Sequence, residues 1–204
     1  KGKIIPACPT EAIVKAVACS ASYPVDEIPV AEGVVSSPVL RSDGTIAKRP
    51  GFDHDTGLFL DTEGSFPQTM GKEEAIETLD DILQDFPFQE AYHKSPWYAA
   101  LISIITRPAY SGPAPFFLCD ANVSRVGKGL LTDCITMITE GRVASRYATP
   151  GDGDELRKLI TSVALAGSPY LLFDNIKGKF GGPTIENAMT AGIWSDRVLG
   201  SNRK

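Results

Sequence analysis

Residues 116–133 read FFLCDANVSRVGKGLLTD, with Gly127 and Lys128 set between an apolar run and a helix-forming one. Chemistry uses this arrangement to hold phosphate. Backbone N–H groups of a glycine-bearing loop and of a helix N-terminus point at the anion. A lysine then meets the β and γ phosphates, and a Ser or Thr hydroxyl holds Mg²⁺. Against the full pattern G-x-x-x-x-G-K-[ST], Asn122, next to Ala121, stands at the first glycine and Gly129 at the hydroxyl position. A residue other than glycine at the start of the loop is a small loss where backbone angles are ordinary, whereas a glycine at 129 offers a metal no ligand.

A second stretch, YLLFDN, ends in Asp174 and Asn175, 46 residues after Lys128. An acid at the C-terminal end of an apolar strand is where a nucleotide-hydrolysing protein orients its metal ion or the metal's water. The interval leaves room for a helix, a strand and a helix. The same residues also fit a plain reading, in which Asp174 opens a turn after a buried strand. Lys177 and Lys179, on the glycine-bearing stretch NIKGKFGG, suit a DNA backbone contact or, more simply, a solvated loop.

These residues need a scaffold of alternating elements, and from about Ala114 the sequence supplies one. PFFLCD reads as a strand, GKGLLTDCITMIT as a helix and GRVASRYAT as a strand. GDELRKLITSVALA then reads as a helix, PYLLFDN as a buried strand, TIENAMTAGIW as a helix and DRVLG as a last short strand. Continuous apolar strands alternating with helices predict a parallel sheet covered by helices. Before it, KEEAIETLDDILQDF has apolar residues at helical spacing and ends at Pro87. A more apolar helix follows from about Ser95 to Ile105. Residues 1–64 read as a small helix-plus-β region: a helix from about Thr10 to Ser20, then a hairpin in which Asp43-Gly44 turns between Val39-Leu40 and Thr45-Ile46. The expected organisation is thus 1–64, a helical connector over 72–110, and an α/β core over 111–204.

Composition limits the alternatives. A net charge of −5 argues against a surface whose only task is to coat nucleic acid. No apolar run reaches the roughly 18 residues of a membrane span, so no membrane partner is expected. The opening KGKIIPACPTEAIVKAVACSASYP is broken by Glu11 and Lys15, which fits an amphipathic helix rather than a secretory signal. Cys8, Cys19, Cys119 and Cys134 form no C-x-x-C pair and read as buried free thiols of a cytoplasmic protein. Asp53, His54 and Asp55 read as a turn rather than a metal site, and Trp97 and Trp194 as core or interface residues.

From about Glu27 onward the chain resembles the ATPase portion of phage- and prophage-type replicative primase-helicases, P-loop proteins related to the AAA+ and superfamily 3 helicases. The resemblance is carried by SPVLRSDGTIAKRPGFDHDTGLFLD, FFLCDANVSRVGKGLLTDCITMITEGR, DELRKLITSVALAGSPYLLFDNI and AMTAGIWSDRVLG. It implies a P-loop NTPase-like α/β fold that binds ATP and Mg²⁺. The phosphates would lie against Ala121, Arg125, Val126, Gly127, Lys128, Gly129 and Leu130. Lys128 would neutralise the β and γ phosphates and Asp174 would hold the metal. Asn175 stands where many such ATPases carry a glutamate base; as an amide it can position water without taking its proton. Thr132 is a poorly spaced substitute hydroxyl, and Arg197 is a candidate arginine finger to a neighbouring subunit. The resemblance further implies a homo-oligomeric ring acting on single-stranded or forked DNA. It also implies an Asn-bearing sensor strand beyond residue 204, so the chain reads as a fragment of a longer protein or a truncated prophage product.

Two features depart from the family. Arg125 and Val126 replace a glycine and a small residue, and Gly129 replaces the hydroxyl, although a GKG form followed by Leu130 and Leu131 is compatible with the family pattern. An alternative is therefore a non-catalytic assembly module with an eroded loop. A small-molecule kinase of the P-loop class is a third reading, weakened by the lack of an arginine-rich lid or acceptor-binding signature.

Overall fold

The computed structural model describes residues 9–19, 29–61, 66, 69–123 and 125–196. Among them are six α-helices and seven short strands, a mixed α/β architecture with three small sheets. No helix among the described residues is long and apolar enough to cross a membrane.

The first helix, α1, spans Glu11–Ala18, with an ion pair from Lys15 to Glu11 one turn earlier. Five strands follow: β1 (Gly33–Val35), β2 (Val39–Leu40), β3 (Ile46–Ala47), β4 (Gly51–Asp53) and β5 (Leu58–Leu60). β2 and β3 form the expected hairpin, Val39 opposite Ala47 and Leu40 opposite Ile46. Its turn has a specific cause. Asp43 accepts hydrogen bonds from the Thr45 amide at 2.8 Å and the Thr45 hydroxyl at 2.7 Å, while Gly44 takes the left-handed conformation at φ 85°. β5 pairs in parallel with β1 and antiparallel with β4. Residues 54–57 turn between β4 and β5, so His54 lies in the turn expected of it, its ring edge-on to Phe52. Val39, Ala47 and Leu60 form a small buried cluster beneath the two sheets.

Asp53 joins these pieces. Its carboxylate accepts from the Arg41 guanidinium, with Nε at 3.0 Å, and from the Thr56 hydroxyl at 2.7 Å. The β2–β3 hairpin is thereby tied to the β4–β5 turn.

The second cluster organises the rest. Helices α2 (Lys72–Leu83), α3 (Ser95–Thr106) and α4 (Lys128–Glu140) meet around Leu83, Trp97, Ala100, Leu101 and Ile135. Leu83 is fully buried and Trp97 is 5% exposed. The Trp97 indole N–H donates to the Leu131 carbonyl at 2.9 Å, which satisfies a polar group that burial would otherwise strand. Gly141 ends α4 in the left-handed conformation at φ 70°.

Beyond α4, β6 (Arg146–Tyr147) and β7 (Leu172–Phe173) pair in parallel across α5 (Gly153–Leu165), and α6 (Pro183–Thr190) follows. Asp152 caps α5 by accepting the Asp154 amide at 3.1 Å. The Asp196 carboxylate returns to α5, bound to Arg157 at 2.6 Å and to the Thr161 hydroxyl at 2.8 Å. Trp194 donates to that same Thr161 hydroxyl at 3.0 Å, so it contributes to packing, in line with its expected role.

Two expectations need correction. The run PFFLCD is extended but pairs with no strand among the described residues, and Leu118 is 72% exposed. A strand needs a hydrogen-bonding neighbour as well as an apolar run, and β7 is paired on one side only, by β6. The parallel sheet therefore has two strands. The cysteines are not buried either: Cys19 and Cys119 are exposed and Cys134 is half-buried, all three free. The expected strand in DRVLG and the start of the chain, Cys8 included, lie outside the described residues, apart from Asp196, which is not in a strand.

The Arg41 guanidinium and the Thr56 hydroxyl hold the Asp53 carboxyl down to about 2, against an ordinary value of 3.8. Because the folded-state pKa lies below the unfolded one, the contribution to stability is complete above about pH 4 and is lost as the pH falls towards 2. The urea midpoint of the wild type is expected to drop more steeply over that interval than the midpoint of Asp53→Asn. Parallel pH profiles would remove Asp53 from the account.

Candidate phosphate-binding cleft

The α4 N-terminus opens into a cleft of about 1110 Å³. One wall is the extended segment 114–120, a second is α3, and a third is formed by residues 168–176, which contain β7. The charged groups lining it are Asp120, Lys128, Arg146 and Asp174, with Asn175 beside them and Arg107 contributed by the turn after α3. A few convergent polar groups in a large concave site are what a small-molecule pocket needs.

Each group is placed by its element. Lys128 is the first residue of α4, and Gly127 before it takes φ 86°, which glycine adopts at little cost. A side chain there would meet the Phe86 ring at 3.3 Å. The first amides of α4 have no partner within the helix and carry its positive end. Asp174 follows β7 directly, its amide bonded to the Tyr147 carbonyl at 3.0 Å. Asn175 sits at φ 56°, a region that asparagine tolerates better than most residues.

Arg146, from β6, links these parts. Its Nη2 donates to Asp133 at 2.5 Å and to the Gly129 carbonyl at 3.2 Å, and its Nε lies 3.5 Å from Asp174. The Asp133 hydrogen bond pushes the guanidinium pKa further up. Arg107 stacks over Tyr110, and its Nη1 is buried without a hydrogen-bond partner among the described residues. That donor is available to an anion.

The structure thus brings Lys128, Gly129, Asp174 and Asn175 to one cleft. It leaves the remaining expected phosphate contacts off the cleft lining. Ala121, Arg125, Val126, Gly127 and Leu130 do not line the cleft; Leu130 is 61% exposed, and Arg125 is exposed at φ 63°. Gly127 serves through its backbone angle, and Leu130 points away because the second residue after Lys128 falls on another face of the helix. Thr132 lines the cleft, but its hydroxyl proton goes to the Gly129 carbonyl at 2.8 Å. Arg197 lies outside the described residues. No group of three or more His, Cys, Asp or Glu among the described residues is arranged to hold a metal ion.

Three contributors have no signature in the local sequence. Arg146 and Arg107 lie in otherwise apolar or mixed runs, and the partners of Arg146, Asp133 and Asp174, lie on other elements. The third is Phe180, on the loop with the exposed Lys177 and Lys179. Its ring stacks on Phe116 at 5.2 Å and meets Phe173 edge-on at 5.4 Å, bridging two walls of the cleft. No family model, curated protein or solved structure matches the chain.

Gly127 is the position where the loop geometry is most exposed to test. Gly127→Ala forces a left-handed alanine and a contact with Phe86, so a loss of about 1–2 kcal/mol is expected in urea unfolding. Gly151→Ala, at a position with open space and no positive φ, serves as the control and should leave stability nearly unchanged.

Proposed function

We propose that the chain is the nucleotide-binding part of a phage or mobile-element DNA replication helicase. In its full-length form the protein would couple ATP hydrolysis to movement on DNA. One observation carries the reading: Lys128, at the start of α4, and Asp174 and Asn175, at the end of β7, line the same cleft although far apart in sequence. The order of the motifs along the chain supports it. In the assembled P-loop NTPase-like site, the amides at the α4 N-terminus and the Lys128 ammonium receive the phosphates, and Arg107 adds a further donor. Phosphoryl transfer would then rest on positioning and charge neutralisation. DNA and further copies of the chain are the proposed partners, with Lys177 and Lys179 as exposed backbone contacts.

ATP is the proposed ligand, and Mg²⁺ would enter with it. The residues present do not fit a metal held by the loop itself. Position 129 has no hydroxyl, that of Thr132 is bonded to the Gly129 carbonyl, and Asp174 is paired with Arg146. The same observations favour a second reading, a non-catalytic assembly module that keeps the fold and has lost the nucleotide.

A Mg²⁺-ATP titration separates the two. Saturable binding is expected to stabilise the protein by about 2.7 kcal/mol at a hundredfold excess over the dissociation constant. Lys128→Ala should abolish that gain while leaving the far-ultraviolet circular dichroism unchanged. Equal affinity in the wild type and the variant would remove Lys128 from the site, and no binding by the wild type would favour the assembly module.

A further inference from the structure

Resting on the nucleotide reading of the same cleft, we propose that the Arg146 guanidinium occupies the metal's place and makes phosphate binding independent of Mg²⁺. The first observation concerns the missing side chain. A Cβ added at Gly129 would lie 3.3 Å from Arg146 Nη2 and 3.9 Å from its Cζ, with no other contact within 4 Å. The space a hydroxyl side chain would enter is bordered by a cation. Gly129 and Arg146 are therefore complementary: the glycine that removes a metal ligand also makes room for the guanidinium.

The second observation is the shell around that cation. Two carboxylates and a carbonyl face it: Asp133 at 2.5 Å, Asp174 at 3.5 Å and the Gly129 oxygen at 3.2 Å. Hard oxygen ligands of this kind also suit Mg²⁺. A metal approaching Asp174 would meet a fixed positive charge that cannot be removed by chelation or by pH. Arg146 Nη1 makes no hydrogen bond among the described residues, which leaves a fork edge for a phosphate oxygen. Lys128 borders the same cleft, so two fixed cations replace the usual pairing of lysine and metal.

The test is calorimetric titration of the whole chain with ATP, once in Mg²⁺ and once in EDTA. Wild-type affinity is expected to agree within about threefold between the two conditions. Arg146→Ala should weaken binding in EDTA by about tenfold or more, the size of one charge-assisted contact. Arg146→Lys keeps the charge opposite Asp133, which guards against misfolding, and lacks the fork. It should also lose affinity in EDTA, with thermal unfolding reporting that it is folded. Arg146→Ala combined with Gly129→Thr should bind ATP in Mg²⁺ and lose it in EDTA. Wild-type binding that is abolished by EDTA would overturn this proposal and leave the nucleotide site standing. So would EDTA binding unchanged in both single variants. Wild-type binding in neither condition would overturn the nucleotide reading and this proposal with it.

Discussion

The hydrogen bond from the Trp97 indole to the Leu131 carbonyl fixes where the rest of the cleft can lie. Leu131 is in the first turns of α4, so the contact locks that end of the helix to α3. Around it, Leu83, Leu101 and Ile135 are the apolar centre of the helical half. A single indole spans both requirements, filling volume and satisfying a buried carbonyl. With α4 held in this way, Lys128 and Gly129 line the cleft. The Gly127 backbone and the Phe86 ring set the approach of the chain to the helix.

The charge distribution follows from that placement. The chain as a whole carries −5, yet Arg107, Lys128 and Arg146 border one concavity. Asp120 and Asp174 line the same concavity, so the cleft holds charges of both signs. Asp133 and Asp174 keep Arg146 in position and prevent the cluster from repelling itself apart. The result is a site arranged around its own counter-ions.

Much of this architecture was legible in the sequence, and the part that was not has a common cause. The six helices among the described residues fall within the stretches that apolar spacing and breakers marked out, because those signals act within a few residues, although α6 stops at Thr190, short of the expected Trp194. The Asp43-Gly44 hairpin was legible for the same reason. The strand expected in PFFLCD failed because apolar residues record burial, whereas a ladder depends on a partner distant in sequence. Lys128, Asp174 and Asn175 stood out as candidates through their spacing, and the fold brings them to one cleft. Arg146 did not, since its partners Asp133 and Asp174 lie on other elements and only the fold brings them to it.

Phe180 has a mechanical consequence. It lies against Phe116 on one side of the cleft and Phe173 on the other, and its loop carries Lys177 and Lys179. Movement of the Phe180 ring would break its stacking on Phe116 or carry the 114–120 segment with it. That segment leads, through Asp120, into the loop before α4. The three rings thus connect an exposed basic loop with the segment that approaches the helix N-terminus.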